Sequence, residues 1–203
     1  MQDNKKCAEI IALIKREVVP ALGCTEPAAV SLCVAKATEM LGCVPTRLDL
    51  RLSGNMLKNA MGVGIPGTGM IGLPIAVALG ALVGRSEYGL EVLKDVTPDA
   101  VERGKEYISE GKISIKLCED APSNLHIEVK AGDDAGNEAT AVISRAHTNF
   151  VYLAKNGEAI YKEEKCEEGG EERSNCDPKL DMATVYDFAM TTPIEDLRFI
   201  LEA

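Results

Sequence analysis

The chain has 203 residues, 46% hydrophobic and 27% charged, a globular composition rather than that of a disordered or membrane-embedded chain. Its 22 basic and 32 acidic residues leave a formal net charge of −10, which repels phosphate backbones and anionic lipid, so neither nucleic acid nor a membrane surface is an expected partner. There is no Trp and only 4% of residues are aromatic, so the core has to be aliphatic.

The opening Met1-Gln-Asp-Asn-Lys-Lys is not followed by the apolar region of a secretory signal. The longest apolar run, Met70 to Val83, is interrupted by Gly72, Pro74 and Gly80 and reads as a buried helix. Seven cysteines, an odd number without C-x-x-C pairs, suit a reducing compartment. The expected location is the cytoplasm.

Ile10, Ile11, Ile14 and Val18 recur at helical spacing over Asn4 to Val19, and Pro20 and Gly23 end that helix. A second helix is expected from Thr25, with Val30, Cys33, Val34, Ala37 and Leu41 as its apolar stripe. Arg47 to Leu52 alternates charged and apolar residues, a half-buried strand. Residues 54–72 are rich in glycine. Helices resume at about Leu73 to Val83, Glu87 to Leu93 and, after Thr97-Pro98, to Ser109.

The period then changes to two. Ile113 to Leu117, Leu125 to Val129, Ala139 to Ser144 and Phe150 to Ala154 are expected strands, and Asn156-Gly157 is a hairpin turn into Ala159-Ile160-Tyr161. On the alternation, His126 falls on the polar face and is expected at the surface. Lys162 to Asp177 is acidic and nearly devoid of apolar residues, an expected flexible insertion. Short helical pieces near Met182 to Met190 and Pro193 to Leu201 close the chain. Helices followed by hairpin-linked strands give an α+β fold, with N-terminal helices and the glycine-rich segment packed on a mainly antiparallel or mixed sheet.

Three segments can carry chemistry. Cys24, in Gly23-Cys24-Thr25-Glu26-Pro27, stands just ahead of a helix N-terminus, where unpaired N–H groups and the helix dipole favour a thiolate. Such a thiolate serves as nucleophile, redox group or soft metal ligand; alternatively Cys24 fills a tight turn as a small apolar residue. Cys33 lies on the apolar stripe and reads as core filler.

In the glycine-rich segment, Gly62, Gly64 and Gly67 satisfy G-x-G-x-x-G, but no βαβ unit surrounds them and no Lys-Ser/Thr pair follows, so a nucleotide site is not supported. Glycines there let backbone N–H groups turn toward an anion, and Ser53, Asn55, Lys58, Asn59 and Thr68 add polar groups suited to a carboxylate and an amine. A glycine-rich crossover between packed helices is the plainer alternative. His147, Thr148 and Asn149 form a third polar group, either a ligand contact or a turn-stabilising network.

Pro20-Ala-Leu-Gly-Cys24-Thr-Glu-Pro27, the segment Ser53 to Gly69 and Arg145-Ala-His-Thr-Asn149 together resemble the L-cysteine desulfidase family, relatives of the iron–sulfur L-serine dehydratase alpha chain (serine dehydratase-like proteins), over about Lys15 to Tyr161. The resemblance implies a cytoplasmic amino-acid lyase that needs no pyridoxal phosphate and releases pyruvate, ammonia and sulfide or water. It implies Cys24 as a ligand of a [4Fe–4S] cluster, Lys58 and His147 as catalytic residues, and Ser53, Asn55, Asn59, Thr68, Thr148 and Asn149 as contacts to a small amino-acid substrate. Family chains are about twice as long, with further cluster cysteines in a second, helical half. Residues 1–203 therefore resemble a single N-terminal domain, with 162–177 as an insertion. The cluster is expected in the complete enzyme and not on this chain alone, and homo-oligomers are possible partners alongside the missing half. Two alternatives stand beside the lyase: a non-catalytic domain binding an amino acid or small anion, and a thiolate enzyme with Cys24 as nucleophile and His147 as base.

Overall fold

The computed structural model describes residues 4–163 and 178–201. Residues 164–177, the bulk of the expected acidic insertion and both Cys166 and Cys176, lie outside the described residues. Two compact units are present, Ala21–Glu164 and the pair of segments Met1–Pro20 with Lys165–Ala203.

In the larger unit α2 (Thr25–Leu41) leads to β1 (Arg47–Leu52), α3 (Gly54–Met61) and a two-stranded hairpin, β2 (Gly64–Ile65) and β3 (Met70–Ile71). Then come α4 (Leu73–Leu82), a 3-10 segment Ser86–Glu91 and α5 (Pro98–Ser109). Five strands complete the unit: β4 (Ile113–Leu117), β5 (His126–Gly132), β6 (Glu138–Ser144), β7 (Phe150–Lys155) and β8 (Glu158–Lys162). The main sheet has the order β4-β1-β5-β6-β7-β8, with β1 and β4 parallel and the other pairs antiparallel. The fold is α+β with a mixed six-stranded sheet, as the sequence led us to expect.

One face of the sheet is apolar. Leu48, Leu50 and Leu52 of β1, Ile127, Val129 and Ala131 of β5, and Ala139, Ala141 and Ile143 of β6 are all buried against the helices. Burying side chains of that size removes enough apolar surface to hold the layers together, at about 25 cal/mol per Å². The opposite face carries Arg47, Asp49, Arg51, Glu128 and Lys130 in solvated ion pairs such as Arg47–Asp49 at 3.1 Å and Arg51–Glu128 at 3.8 Å. Pairs this exposed contribute little to stability.

α4 is buried over almost its whole length, as expected of the interrupted apolar run. It packs tightly on α2. Ser31 Oγ donates to the carbonyls of Pro27 and, across to α4, of Ala76 at 2.9 Å, and a Cβ on Gly80 would come within 2.8 Å of the Ser31 carbonyl oxygen.

α2 lies across β5 and β6 with a fixed direction. Its last residue, Leu41, accepts a hydrogen bond from Lys155 Nζ at 3.3 Å, and Lys155 pairs with Ala139 near the start of β6. At mid-helix the Cys33 thiol reaches the Ala141 carbonyl at 3.3 Å. The head of α2 therefore points to the end of the sheet where β1 and β6 finish, at Leu52 and Ser144.

The smaller unit holds α1 (Asn4–Glu17), α6 (Met182–Thr191) and a 3-10 segment Ile194–Leu201. Lys6 donates to Thr184 Oγ1 at 2.9 Å, and the Lys15 ammonium lies 5.1 Å from the Phe199 ring centroid.

Two expectations are corrected. The start of the glycine-rich segment is a helix: Ser53 caps α3 by accepting from the Met56 N–H, and Met56 and Ala60 bury its inner side. The stretch expected as a helix at Glu87 to Leu93 is instead a 3-10 run broken at Gly89, whose φ is +56°.

Candidate functional site at the head of the second helix

The residues that come together are Cys24, Glu26 and Asn59. Gly23 takes φ +80°, and a Cβ there would sit 2.6 Å from Pro66 Cγ, so only glycine lets the chain turn this close to the β2–β3 turn. Cys24 follows as the residue before α2 in extended conformation (ψ 134°), which aims its side chain back over the first turn.

The Cys24 thiol donates to Glu26 Oε2 at 2.9 Å, and Thr25 Oγ1 donates to the same oxygen at 3.3 Å. The other carboxylate oxygen, Oε1, accepts from Asn59 Nδ2 of α3 at 3.2 Å. Three donors converge on one carboxylate at a helix N-terminus, where the dipole also favours negative charge.

The electrostatics follow from this geometry. The Cys24 thiol is pushed above its ordinary value by burial and then by its hydrogen bond to the Glu26 carboxylate. Glu26 is held below the usual carboxylate range, chiefly by the hydrogen bond from Cys24. The expectation of a thiolate at this helix start is therefore corrected. The acidic side chain in the first turn is Glu26, and burial together with the hydrogen bond to its carboxylate pushes the Cys24 thiol up.

Behind Cys24 is a small apolar void lined by Leu22, Pro27, Ile65, Pro66 and Leu90 among others. It measures about 10 Å³, the room of a single water molecule.

The other expected site residues divide. Asn59 belongs to the cluster. Lys58 and Asn55 are exposed on α3. Ser53 is buried and doubly engaged, donating to the Asn124 carbonyl at 2.6 Å while it caps α3. Thr68 closes the β2–β3 turn, donating to the Ile65 carbonyl at 2.7 Å.

Asn149 stabilises the turn after β6: its Nδ2 donates to the Ser144 carbonyl at 3.1 Å, and its N–H donates to the Ala146 carbonyl. Thr148 is exposed and His147 half-buried in that turn. Both Ser53 and this turn lie at the sheet end toward which α2 points, for the Ser53 N–H donates to the His126 carbonyl and His126 pairs with Ser144. The hydrogen-bond acceptor on the Cys24 thiol is nonetheless Glu26, a residue that sequence reasoning passed over and whose only advance signal was its place in the first turn beside the thiol.

His126 is a further correction. It is only 8% exposed and lies 3.4 Å through Nδ1 from Ser144 Oγ, in a network with Ser123. Burial lowers its pKa.

The resemblance implies Cys24 as one ligand of a [4Fe–4S] cluster. Such a cluster takes three or four thiolates, and among the described residues no group of three or more Cys, His, Asp or Glu stands close enough to hold a metal ion. Cys24 has one carboxylate beside it, and Cys33 is fully buried in hydrogen-bond contact with backbone carbonyls. No step is derived through a cluster. No helix among the described residues is long and apolar enough to cross a membrane.

No protein-family model matches the chain. It is similar to UPF0597 proteins from Bacteroides fragilis (59% identical over 194 residues, 96% of this chain and 45% of the relative), Phocaeicola vulgatus (58% over 197, 96% and 44%) and Porphyromonas gingivalis (44% over 207, 99% and 47%). The chain spans about half the length of the curated relatives it matches. Their name is that of a family distinct from the serine dehydratase-like proteins. This overturns the resemblance drawn from the three motifs, and the iron–sulfur lyase activity inferred through it falls with it.

Proposed function

We propose that the head of α2 is a binding site for a small amino acid, whose ammonium group is received by the Glu26 carboxylate. The observation that carries this reading is the pair of hydrogen bonds fixing that carboxylate from two helices, Cys24 to Oε2 at 2.9 Å and Asn59 to Oε1 at 3.2 Å. A carboxylate held ionised and oriented is pre-organised for a cation, because its ordering is complete before the ligand arrives. The ammonium takes over the hydrogen bond that the thiol makes in the free protein. The apolar wall of Leu22, Pro27, Ile65 and Pro66 then faces the ligand's side chain, and a void of about 10 Å³ favours a small β-substituent. The net charge of −10 supports a small cationic or zwitterionic ligand over nucleic acid or anionic membrane.

A second reading is favoured by the same thiol. Cys24 acts as the nucleophile of an enzyme: its thiol proton passes to Glu26 while the sulfur adds to a carbonyl carbon of the ligand and the C=O π pair moves onto the oxygen. In both readings the setting is a reducing cytoplasm, which the free Cys7, Cys24, Cys33, Cys43 and Cys118 support.

A thermal-shift screen of the twenty amino acids against the wild-type chain and Cys24→Ser tests the choice. Binding of the small members by both proteins supports the binding site. Turnover by the wild type that Cys24→Ser abolishes supports the enzyme. No shift with any amino acid contradicts both.

A further inference from the structure

The larger unit has an apolar flank that nothing else in that unit closes. Leu57 and Met61 of α3, Pro74 of α4, Ile108 of α5, and Ile113 and Ile115 of β4 line a groove of about 450 Å³ with no charged residue among them. β4 is the edge strand of the main sheet. Ile113 and Ile115 pair with Leu48 and Leu50, two of the most deeply buried residues of the core, so the groove is the place where the core itself reaches the surface. Met61 is 47% exposed on α3, and Leu117, at the end of the same strand, is 48% exposed. Natural proteins protect an open edge with charge, Pro, a bulge or a covering element; β4 carries Ser114 and Lys116 on one face, and on the groove face it presents only Ile113, Ile115 and Leu117.

We propose that this groove seats an apolar segment of the polypeptide that the relatives carry outside the matched region. The relatives at 58–59% identity are more than twice as long as the region matched, so in them a comparable length of chain accompanies this unit. An apolar groove open at a sheet edge suits an intramolecular or permanent partner rather than a transient polar one. The segment fills the groove with aliphatic side chains and shields the β4 edge from pairing with other molecules. This inference stands apart from the amino-acid site, since none of the groove residues belongs to the cluster around Glu26.

The test co-expresses the full 203-residue chain, tagged, with the part of the Bacteroides fragilis relative that lies outside the matched region. Stable co-purification is expected, with protection of amides at residues 57–61, 108 and 113–115 from hydrogen exchange in the complex. Met61→Glu and Ile115→Glu are each expected to cut the recovered complex by about tenfold or more, as loss of a central apolar contact does. Ile160→Glu, on the opposite edge strand and 63% exposed, should leave it unchanged. The exchange pattern needs no variant, so a misfolded mutant leaves the test decisive. Failure to co-purify, protection confined to other surfaces, or a homodimer of the chain that the groove variants dissociate would each overturn the proposal, the last by making a second copy the occupant.

Discussion

Asn59 of α3 holds Glu26 of α2 through a 3.2 Å hydrogen bond from Nδ2 to Oε1, joining two sequence motifs that lie 33 positions apart. The bond does two things. It fixes the carboxylate's plane, and it leaves Oε2 for the Cys24 thiol. Asn59→Ala should therefore lower the urea midpoint by an amount equivalent to about 1 kcal/mol, the usual net worth of such a bond. Asn59→Asp should cost more at pH 7 and recover at pH 4, because it sets one carboxylate against another. Equal losses at both pH values would show that Asn59 acts by packing alone.

Burial and the Glu26 carboxylate both push the Cys24 thiol up. The carboxylate raises the thiol's pKa by accepting its proton in a hydrogen bond and by its charge, so Glu26→Gln should lower that pKa toward the ordinary value. Alkylation of Cys24 by iodoacetamide at pH 7.5, followed by mass spectrometry of the peptide, should speed up several-fold in the variant. Cys33 should stay unmodified in both proteins, since it is fully buried. A slower Cys24 in Glu26→Gln would mean that the carboxylate activates the thiol instead.

His126 links stability to pH. Burial lowers its pKa, so the folded protein holds the ring neutral where the unfolded chain takes up a proton near pH ~6.5. Unfolding then binds a proton, and stability should fall as the pH drops from about 7 through the unfolded value toward the folded one. Thermal melts of the wild type between pH 7.5 and 5.5 should show that fall, and His126→Gln should flatten it. An identical slope in the variant would assign the effect to other groups.

α2 and α4 approach each other closely at Gly80. A methyl there would lie 2.8 Å from the Ser31 carbonyl oxygen and 3.1 Å from Ser31 Cα, so the helices have to part. Gly80→Ala should destabilise the chain by about 1–3 kcal/mol, as overpacking does. Gly62→Ala, at a position with nothing within 4 Å and φ −103°, should be nearly neutral. Calorimetric melting of the two variants makes the comparison.

The sequence made some of this legible and hid the rest for identifiable reasons. The strand Arg47–Leu52 stands as expected because its alternation reports local geometry, and burial on one face follows directly. The parallel pairing of β1 with β4 is a contact between residues about 65 positions apart, which no local pattern encodes. α3 was hidden because its opening Gly54-Asn55 and the glycines after it outweigh the helix-forming Met56, Leu57, Lys58 and Ala60, while the Ser53 cap gives the start away only in hindsight.

The faces of β5 were read correctly, with His126 opposite the core-facing Ile127. Its burial comes from Ser123 and Ser144, which alternation does not register. At the site, the Cys24 and Asn59 segments were both visible as polar islands. The carboxylate that unites them was not, because spacing along a chain does not say which way a first-turn side chain bends.

The central claim is that Glu26 receives the ammonium of a small amino acid, and titration calorimetry at pH 7.5 tests it most directly. The wild-type chain should bind at least one small amino acid with a defined stoichiometry of one. Glu26→Gln keeps the shape and removes the charge, and it should weaken that affinity by about tenfold or more, the worth of a charge-assisted hydrogen bond. Equal affinity in the variant, or no binding by the wild type, would contradict it.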